Sequence, residues 1–413
     1  MALNLGKPRV LIAGAGIGGL TLAQCLRKQG IPFQIFDRDH NLDDRQGWAI
    51  GVHSILNDIA TSFSDDMPSI KSADHLTPLK LEAQIALYYR NERRAVQNSP
   101  ETPCMRLNRL KLRGWLATHI DVQWSKRVSR VDENETGVAL HFEDGTSASG
   151  DVLVGADGLN SVVREHLLGR PNQEVLHVNK LASIWGETTI AGEVLERQLS
   201  LGHSAYVSTS KDYAYWFFVG LKGVNEDFSA DYYWYIAWPD ETVGQPDHWM
   251  QTATKADKYE RMHGIIEKFD PKFREVFELT PVDRILPGVW VSRDGEVPPF
   301  PVKNAVLLGD AAHPMTPFRG EGGMHAIRDA LNLSRALGQW TAEEPAKNRH
   351  LLESYQTESL ERGGQAVMLS RNAWKNNAIK GAKLISWGHE AKLAAEEVVR
   401  LDDVRPEAPA VTA

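Results

Sequence analysis

Three short apolar runs punctuate the chain: Val10-Leu11-Ile12-Ala13, Val152-Leu153-Val154 and Ala305-Val306-Leu307-Leu308. Each reads as a strand buried on both faces within a parallel sheet. The first passes into a helical pattern with Leu20, Leu22, Ala23 and Leu26 apolar, and then into a second strand, Phe33-Gln34-Ile35-Phe36. Residues 107–116 pattern as a helix, Glu143-Asp144-Gly145-Thr146 as a hairpin turn, and residues 323–337 as a further helix. These returns predict one α/β domain assembled from three distant segments, 1–75, 100–178 and 286–345.

The inserted segments, 76–99 and 179–285, have a different character. Between positions 205 and 238 lie twelve of the chain's 34 aromatic side chains, among them Tyr206, Tyr215, Trp216, Phe218, Tyr233 and Tyr235. Such runs, broken around Ser210-Lys211-Asp212, predict antiparallel strands, and hence a second, sheet-built domain whose rings fill its core or wall a pocket. Leu384, Trp387, Ala391, Ala394, Val398 and Leu401 recur at spacings of three and four. That stripe predicts a packed helix within a C-terminal helical segment, 346–404, followed by a flexible tail, 405–413.

Composition narrows the class. A chain of 413 residues, 42% of them hydrophobic, can bury two cores. A net charge of −8 with no basic stripe excludes nucleic acid as a partner. Cys25 and Cys104 have no metal-site or redox-pair spacing, so no metal centre is expected and a reducing, cytoplasmic setting is the simplest assignment. Residues 10–23 are apolar enough for a signal peptide, but they run on into an amphipathic helix. No apolar stretch reaches the length of a membrane span, so no membrane association is expected.

Chemistry enters with the residues that follow each apolar run. After the first comes Gly14-Ala15-Gly16-Ile17-Gly18-Gly19, after the second Gly155-Ala156-Asp157-Gly158, after the third Gly309-Asp310-Ala311-Ala312-His313-Pro314. In the first, Gly14 permits a tight turn, Gly16 lets backbone approach a pyrophosphate, and Gly19 lets the helix pack close to the strand. The helix N-terminus then offers free N–H groups to phosphate. Asp37 ends the second strand about twenty residues beyond the glycines, where a carboxylate can accept from a ribose. Three such signals in this order read as a single flavin site. No second Gly-x-Gly-x-x-Gly is present, so a nicotinamide cofactor would visit a shared cleft.

With these motifs the chain resembles the class A FAD-dependent monooxygenases, the aromatic hydroxylase group of p-hydroxybenzoate hydroxylase, over residues 1–345. Arg45-Gln46-Gly47-Trp48 and Phe318-Arg319-Gly320-Glu321-Gly322-Gly323 are most similar to fungal secondary-metabolism members, and the C-terminal helix to the tetracycline-inactivating branch. The resemblance implies a Rossmann-like FAD-binding domain, an inserted antiparallel β-sheet substrate domain and a C-terminal helix. It implies that Gly14, Gly16, Gly19 and Asp37 hold the adenosine half of FAD. By the same resemblance Asp157 serves FAD and the transient NAD(P)H, Asp310 bonds the ribityl or ribose portion, and Arg45 and Arg109 lie at the flavin. Gly320, Gly322, Gly323 and Met324 begin a helix whose N–H groups face the ring. Met324 stands where the family commonly has Asn, and methionine cannot donate an amide bond. Pro317, with Pro314, matches a rigid turn beside flavin C4a, where the family forms its hydroperoxide.

The implied reaction is oxygen transfer from O2, with NAD(P)H as reductant, to an aromatic or polycyclic small molecule, by a monomer or homodimer. His203, Tyr206 and Tyr215 are weak candidates for a catalytic base in the aromatic sheet, with His53 and His325 near the flavin segments; each has a structural reading beside it. Two alternatives stay open: a flavin-dependent halogenase, echoed by Tyr233-Trp234-Tyr235-Ile236-Ala237-Trp238-Pro239, and a non-catalytic flavin-fold binding protein, for which Met324 is the only support.

Overall fold

A computed structural model describes residues 6–43, 47–89, 92–135, 137–373, 385–386 and 389–406. The chain divides into two compact units, one of residues 1–70, 109–177 and 293–377, the other of residues 71–108, 178–292 and 378–413.

The first unit is built on a parallel sheet ordered Ala305–Leu307, Val152–Gly155, Val10–Ala13, Phe33–Phe36, Val122–Gln123. Val10–Ala13 is the central strand and all four of its residues are buried, which is why its sequence carries no polar alternation. Helix Ile17–Gln29 follows the first glycine loop and stops at Gly30, in the left-handed conformation, with Arg27 and Lys28 at its negative end. Helix Gly322–Leu337 follows the third loop. A small antiparallel sheet, Ser147–Gly150, Gly137–Phe142, Val128–Asn134, carries the hairpin turn at 143–146. The helix read at 107–116 begins later, at Arg109, because Met105–Asn108 is extended.

The second unit is a seven-stranded sheet ordered Leu181–Ile190, Ala230–Pro239, Trp216–Val224, Ala205–Thr209, Gln84–Tyr89, Glu92–Gln97, Lys392–Leu393. Alternation sorts its aromatics onto two faces. Phe217, Tyr232 and Trp234 point into a core with Phe269, Phe273 and Phe277. Trp234 fits because position 186 is glycine, where a Cβ would overlap the indole, and its Nε1 donates to Thr280 Oγ1 at 2.8 Å. Phe218, Tyr233 and Tyr235 occupy the opposite face.

The C-terminal segment departs from its reading. Its long helix is Pro345–Ala373, which belongs to the first unit, whereas residues from 378 onward belong to the second. Leu384 and Trp387 lie outside the described residues, and the remaining positions of the apolar stripe form no helix before Leu401–Val404. Lys392–Leu393 instead pairs with the edge strand Glu92–Gln97, and Ala394 N–H donates to the Arg93 carbonyl at 3.1 Å. An edge strand offers unpaired backbone groups, and here they take the segment in place of a local helix, leaving Leu393 67% and Val398 76% exposed. Of the expected tail, 407–413 lies outside the described residues.

Candidate cofactor and substrate sites

The three motif loops meet at the carboxyl ends of the parallel strands, where open α/β sheets bind their ligands. Gly14 has φ +112°, and a Cβ there would overlap the Ala156 carbonyl oxygen of the second loop. A Cβ on Gly19 would overlap the Gly14 carbonyl oxygen, so helix and turn touch only because both positions are glycine. Gly16 caps the helix in extended conformation without a side-chain bond, leaving the first-turn N–H groups facing outward. The third loop joins the second where Leu308 N–H donates to the Gly155 carbonyl at 2.9 Å.

Two arginines lock this arrangement. Arg164, fully buried, donates to the carbonyls of Asp310 at 3.2 Å and Ala311 at 2.9 Å, and also to Leu159 O, so one guanidinium spans the second and third loops. Arg113 donates from Nε to Ala15 O at 3.0 Å and from Nη2 to Asp39 at 2.9 Å. A buried aspartate, Asp329, accepts from Gly309 N–H at 2.8 Å. None of these three stood out in the sequence by spacing. The signal was at most the presence of charged residues within apolar helices.

The residues singled out by motif fall as follows. Asp37 is buried and engages the chain itself, its Oδ2 accepting from Ala15 N–H at 2.6 Å and its Oδ1 from Asp39 N–H at 3.0 Å. Asp157 accepts from Val162 N–H at 2.8 Å, its second oxygen is buried with no hydrogen-bond partner, and burial pushes its pKa up. Asp310 is exposed beside Gly322. Arg109 opens its helix, takes the Trp48 carbonyl at 3.0 Å through its N–H, and lays its side chain where a Cβ on Gly47 would stand. Pro317 begins a 3-10 turn ending at Gly320, with φ +66°. The helix after it has no side-chain cap and no acidic residue in its first turn, Gly323 packs against Ile50, and Met324 Sδ lies 3.9 Å from Ser54 Oγ. Arg45 lies outside the described residues.

The three base candidates all lie in the second unit. Tyr206 sits in the core and donates to Gln198 Oε1 at 2.6 Å, and burial holds its pKa well above the ordinary phenol value. His203 Nδ1 lies 2.9 Å from the Glu82 carbonyl, and burial lowers its pKa. Tyr215 packs edge-on against Trp238 beneath the Lys268 ammonium.

In the second unit, Trp185, Tyr235 and Phe218 stand in register across three strands and form a continuous row. Trp185 and Tyr235 lie 4.4 Å apart by ring centroid, Tyr235 and Phe218 are stacked at 5.5 Å and 7°, and Trp290 extends the row at 5.0 Å from Trp185. Beside it the buried Arg106 guanidinium sits against Phe218 and Tyr233, each 5.5 Å away, in a slot open because position 220 is glycine.

The cradle of the first unit fits a dinucleotide: side chains are absent where backbone must be approached, helix N–H groups face outward, and Asp157 holds an unpartnered acceptor. A profile of the FAD-binding domain family matches residues 83–370, over half the chain. Over 404 residues the chain is 44% identical to the FAD-dependent monooxygenase thnD of Trichoderma harzianum, covering 96% of this chain and 98% of that one. The chain belongs to the FAD-dependent monooxygenase family. Its fold matches 2,6-dihydroxypyridine-3-hydroxylase from Arthrobacter nicotinovorans with TM-score 0.70 at 19% identity, over 95% of this chain and 99% of that one. It also matches HpxO of Klebsiella pneumoniae, solved with FAD and uric acid, with TM-score 0.68 at 21% identity, over 91% and 89%. Among the described residues no helix is long and apolar enough to cross a membrane, and no group of three or more His, Cys, Asp or Glu is placed to hold a metal.

Proposed function

We propose that this chain is a single-component monooxygenase that takes electrons from NAD(P)H and inserts one atom of O2 into an aromatic or polycyclic small molecule, by hydroxylation or epoxidation. The chemistry that FAD supplies when bound is acceptance of two electrons from a nicotinamide and activation of O2. For hydroxylation the balance is substrate, NAD(P)H, a proton and O2 giving hydroxylated substrate, NAD(P)+ and water.

The observation that carries the reading is the meeting of three separate glycine-and-aspartate loops at one sheet edge in a chain of this family. Gly14, Gly16 and Gly19 would admit the pyrophosphate, with Asp37 and Arg113 keeping the loop in shape. Asp157 and Asp310 would accept from sugar or ribityl hydroxyls, Arg109 would lie at the flavin, and the N–H groups from Gly322 onward would stabilise negative charge on the reduced ring. In the row, Trp185 and Tyr235 are buried and Trp290 is partly exposed at its end, where its polarisable ring would stack on a planar substrate. No catalytic base is assigned: His203 and Tyr206 are each hydrogen-bonded within the second unit and the Tyr215 ring packs on Trp238 and Lys268, so the substrate's own electron density would drive oxygen transfer.

Purified protein should be yellow and release FAD on denaturation. A screen of aromatic natural products for faster NAD(P)H oxidation, with product mass read alongside, tests the activity. A product heavier by one oxygen atom supports the reading, and one carrying halogen in place of hydrogen overturns it.

A further inference from the structure

Helix Pro345–Ala373 turns a mostly polar face toward the third loop. Tyr355 Oη donates to the Leu307 carbonyl at 2.9 Å, and Gln356 Oε1 accepts from Leu307 N–H at 2.6 Å. Four to seven residues further on, Ser359 Oγ donates to Asp329 Oδ1 at 3.0 Å and Arg362 Nη2 donates to the same oxygen at 2.5 Å. The other oxygen of Asp329 accepts from Gly309 N–H at 2.8 Å and faces His313 Nε2 at 2.6 Å. A carboxylate 0% exposed thus gathers four partners from two elements, two of them in the loop that presents Asp310.

We propose that Asp329, held by Arg362 and His313, is a positioning residue that fixes the Gly309–Ala311 turn in the shape that retains FAD. This rests on the reading that Asp310 and its turn touch the cofactor. Gly309 has φ +62°, a conformation that a turn leaves easily unless its backbone is pinned, and the Asp329 bond to its N–H pins it from the protein side. Arg164 pins the following carbonyls, so the Asp310 peptide is gripped at both ends. A buried ionic cluster is a poor stabiliser compared with apolar packing of the same volume, and it is explained better by the geometry it enforces. Although burial alone would raise it, the His313 and Arg362 charges hold the Asp329 pKa down at about 2. Asp329 acts through Gly309 and does not itself reach the cofactor.

The test compares wild type, Asp329→Asn and Arg362→Gln. Measurements are FAD dissociation from the holoprotein, by recovery of flavin fluorescence on dilution, visible circular dichroism of the bound flavin, and melting of the FAD-free protein. The expected result is a dissociation constant at least tenfold higher in both variants, an altered flavin dichroism, and FAD-free melting that does not account for the loss. Arg362 is partly exposed, so its variant decides the matter if Asp329→Asn does not fold. A wild-type dissociation constant and dichroism in Arg362→Gln would show the cluster to be structural only and overturn the inference, leaving the cofactor reading intact. A wild-type protein that takes up no FAD overturns both.

Discussion

Asp37 and Arg113 hold one residue by the two peptides that flank it: Asp37 Oδ2 accepts from the Ala15 N–H at 2.6 Å, and Arg113 Nε donates to the Ala15 carbonyl at 3.0 Å. Their side chains also face each other at 3.7 Å, and both are buried. The pair fixes the glycine loop before any ligand arrives, which lowers the ordering cost of binding.

Arg113→Met should therefore harm both fold and cofactor uptake. It removes bonds to Ala15, Leu42 and Asp39 and leaves two acidic groups facing a thioether. Breaking a buried ion pair on one side typically costs about 3–5 kcal/mol. Urea unfolding of the FAD-free protein, with an FAD titration beside it, measures the two effects. A stability loss below about 1 kcal/mol would mean that the loop holds its shape without this clamp.

Neighbouring glycines in helix Pro345–Ala373 should respond with opposite signs. A Cβ on Gly363 would overlap the buried His313 ring, whereas nothing lies within 4 Å of one on Gly364. Gly364→Ala should stabilise by about 0.4–1 kcal/mol through lost unfolded-state freedom. Gly363→Ala should destabilise by about 1–3 kcal/mol through overpacking. Melting temperatures of the two variants decide it, and shifts of the same sign would contradict the packing of this helix against His313.

The elements and the first two motifs were legible because they rest on local rules. An all-apolar tetrad is a strand buried on both faces, and a glycine marks a place where a side chain would strike backbone, as at Gly14 and Gly19. Asp329, Arg362, Arg113 and Arg164 were not legible. Arg113 meets Ala15 and Arg164 meets Asp310 across 98 and 146 positions, and a charged residue at helical spacing reads as a solvated face until its partner is known. The C-terminal stripe failed for the converse reason. Ala391, Ala394 and Val398 have the spacing of a helix face, but the open edge of strand Glu92–Gln97 claimed the backbone.

Acid should unfold this protein partly through His325. Arg362 Nη1 approaches its Nδ1 at 2.7 Å, so the ring accepts there and is neutral. Burial, then the His313 and Arg362 charges, hold its pKa down to about 4 from the ordinary 6.5. The folded-state pKa is the lower one, so between these values the unfolded chain takes a proton that the folded chain refuses. Stability is whole above that window and falls as pH falls through it, by up to about 3 kcal/mol. His313 has the opposite sign: burial alone would lower its pKa, but the Asp329 charge raises it, so its contribution is present below 6.5 and is lost as pH rises through the folded value. His325→Gln should make the difference in unfolding free energy between pH 7 and pH 4.5 smaller by about 2 kcal/mol. An identical pH slope in wild type and variant would place the acid sensitivity elsewhere.

Trp290 offers the cleanest test of the aromatic row. It is 37% exposed, so removing its ring leaves the sheet core untouched, yet it stands 5.0 Å from Trp185 at the end of the row through Tyr235 and Phe218. Stacking of this kind contributes about 0.5–1.5 kcal/mol per ring pair beyond area burial. Trp290→Leu should therefore raise the KM for a planar polycyclic substrate about three- to tenfold while kcat, FAD affinity and melting temperature stay near wild type. That pattern is the one expected when an interaction is made equally in ground and transition states. Steady-state kinetics on a substrate found by the NAD(P)H oxidation screen, alongside an FAD titration, measure it. An unchanged KM would remove Trp290 from the substrate surface, and a fall in FAD affinity would mean that the ring acts on the cofactor rather than on the substrate.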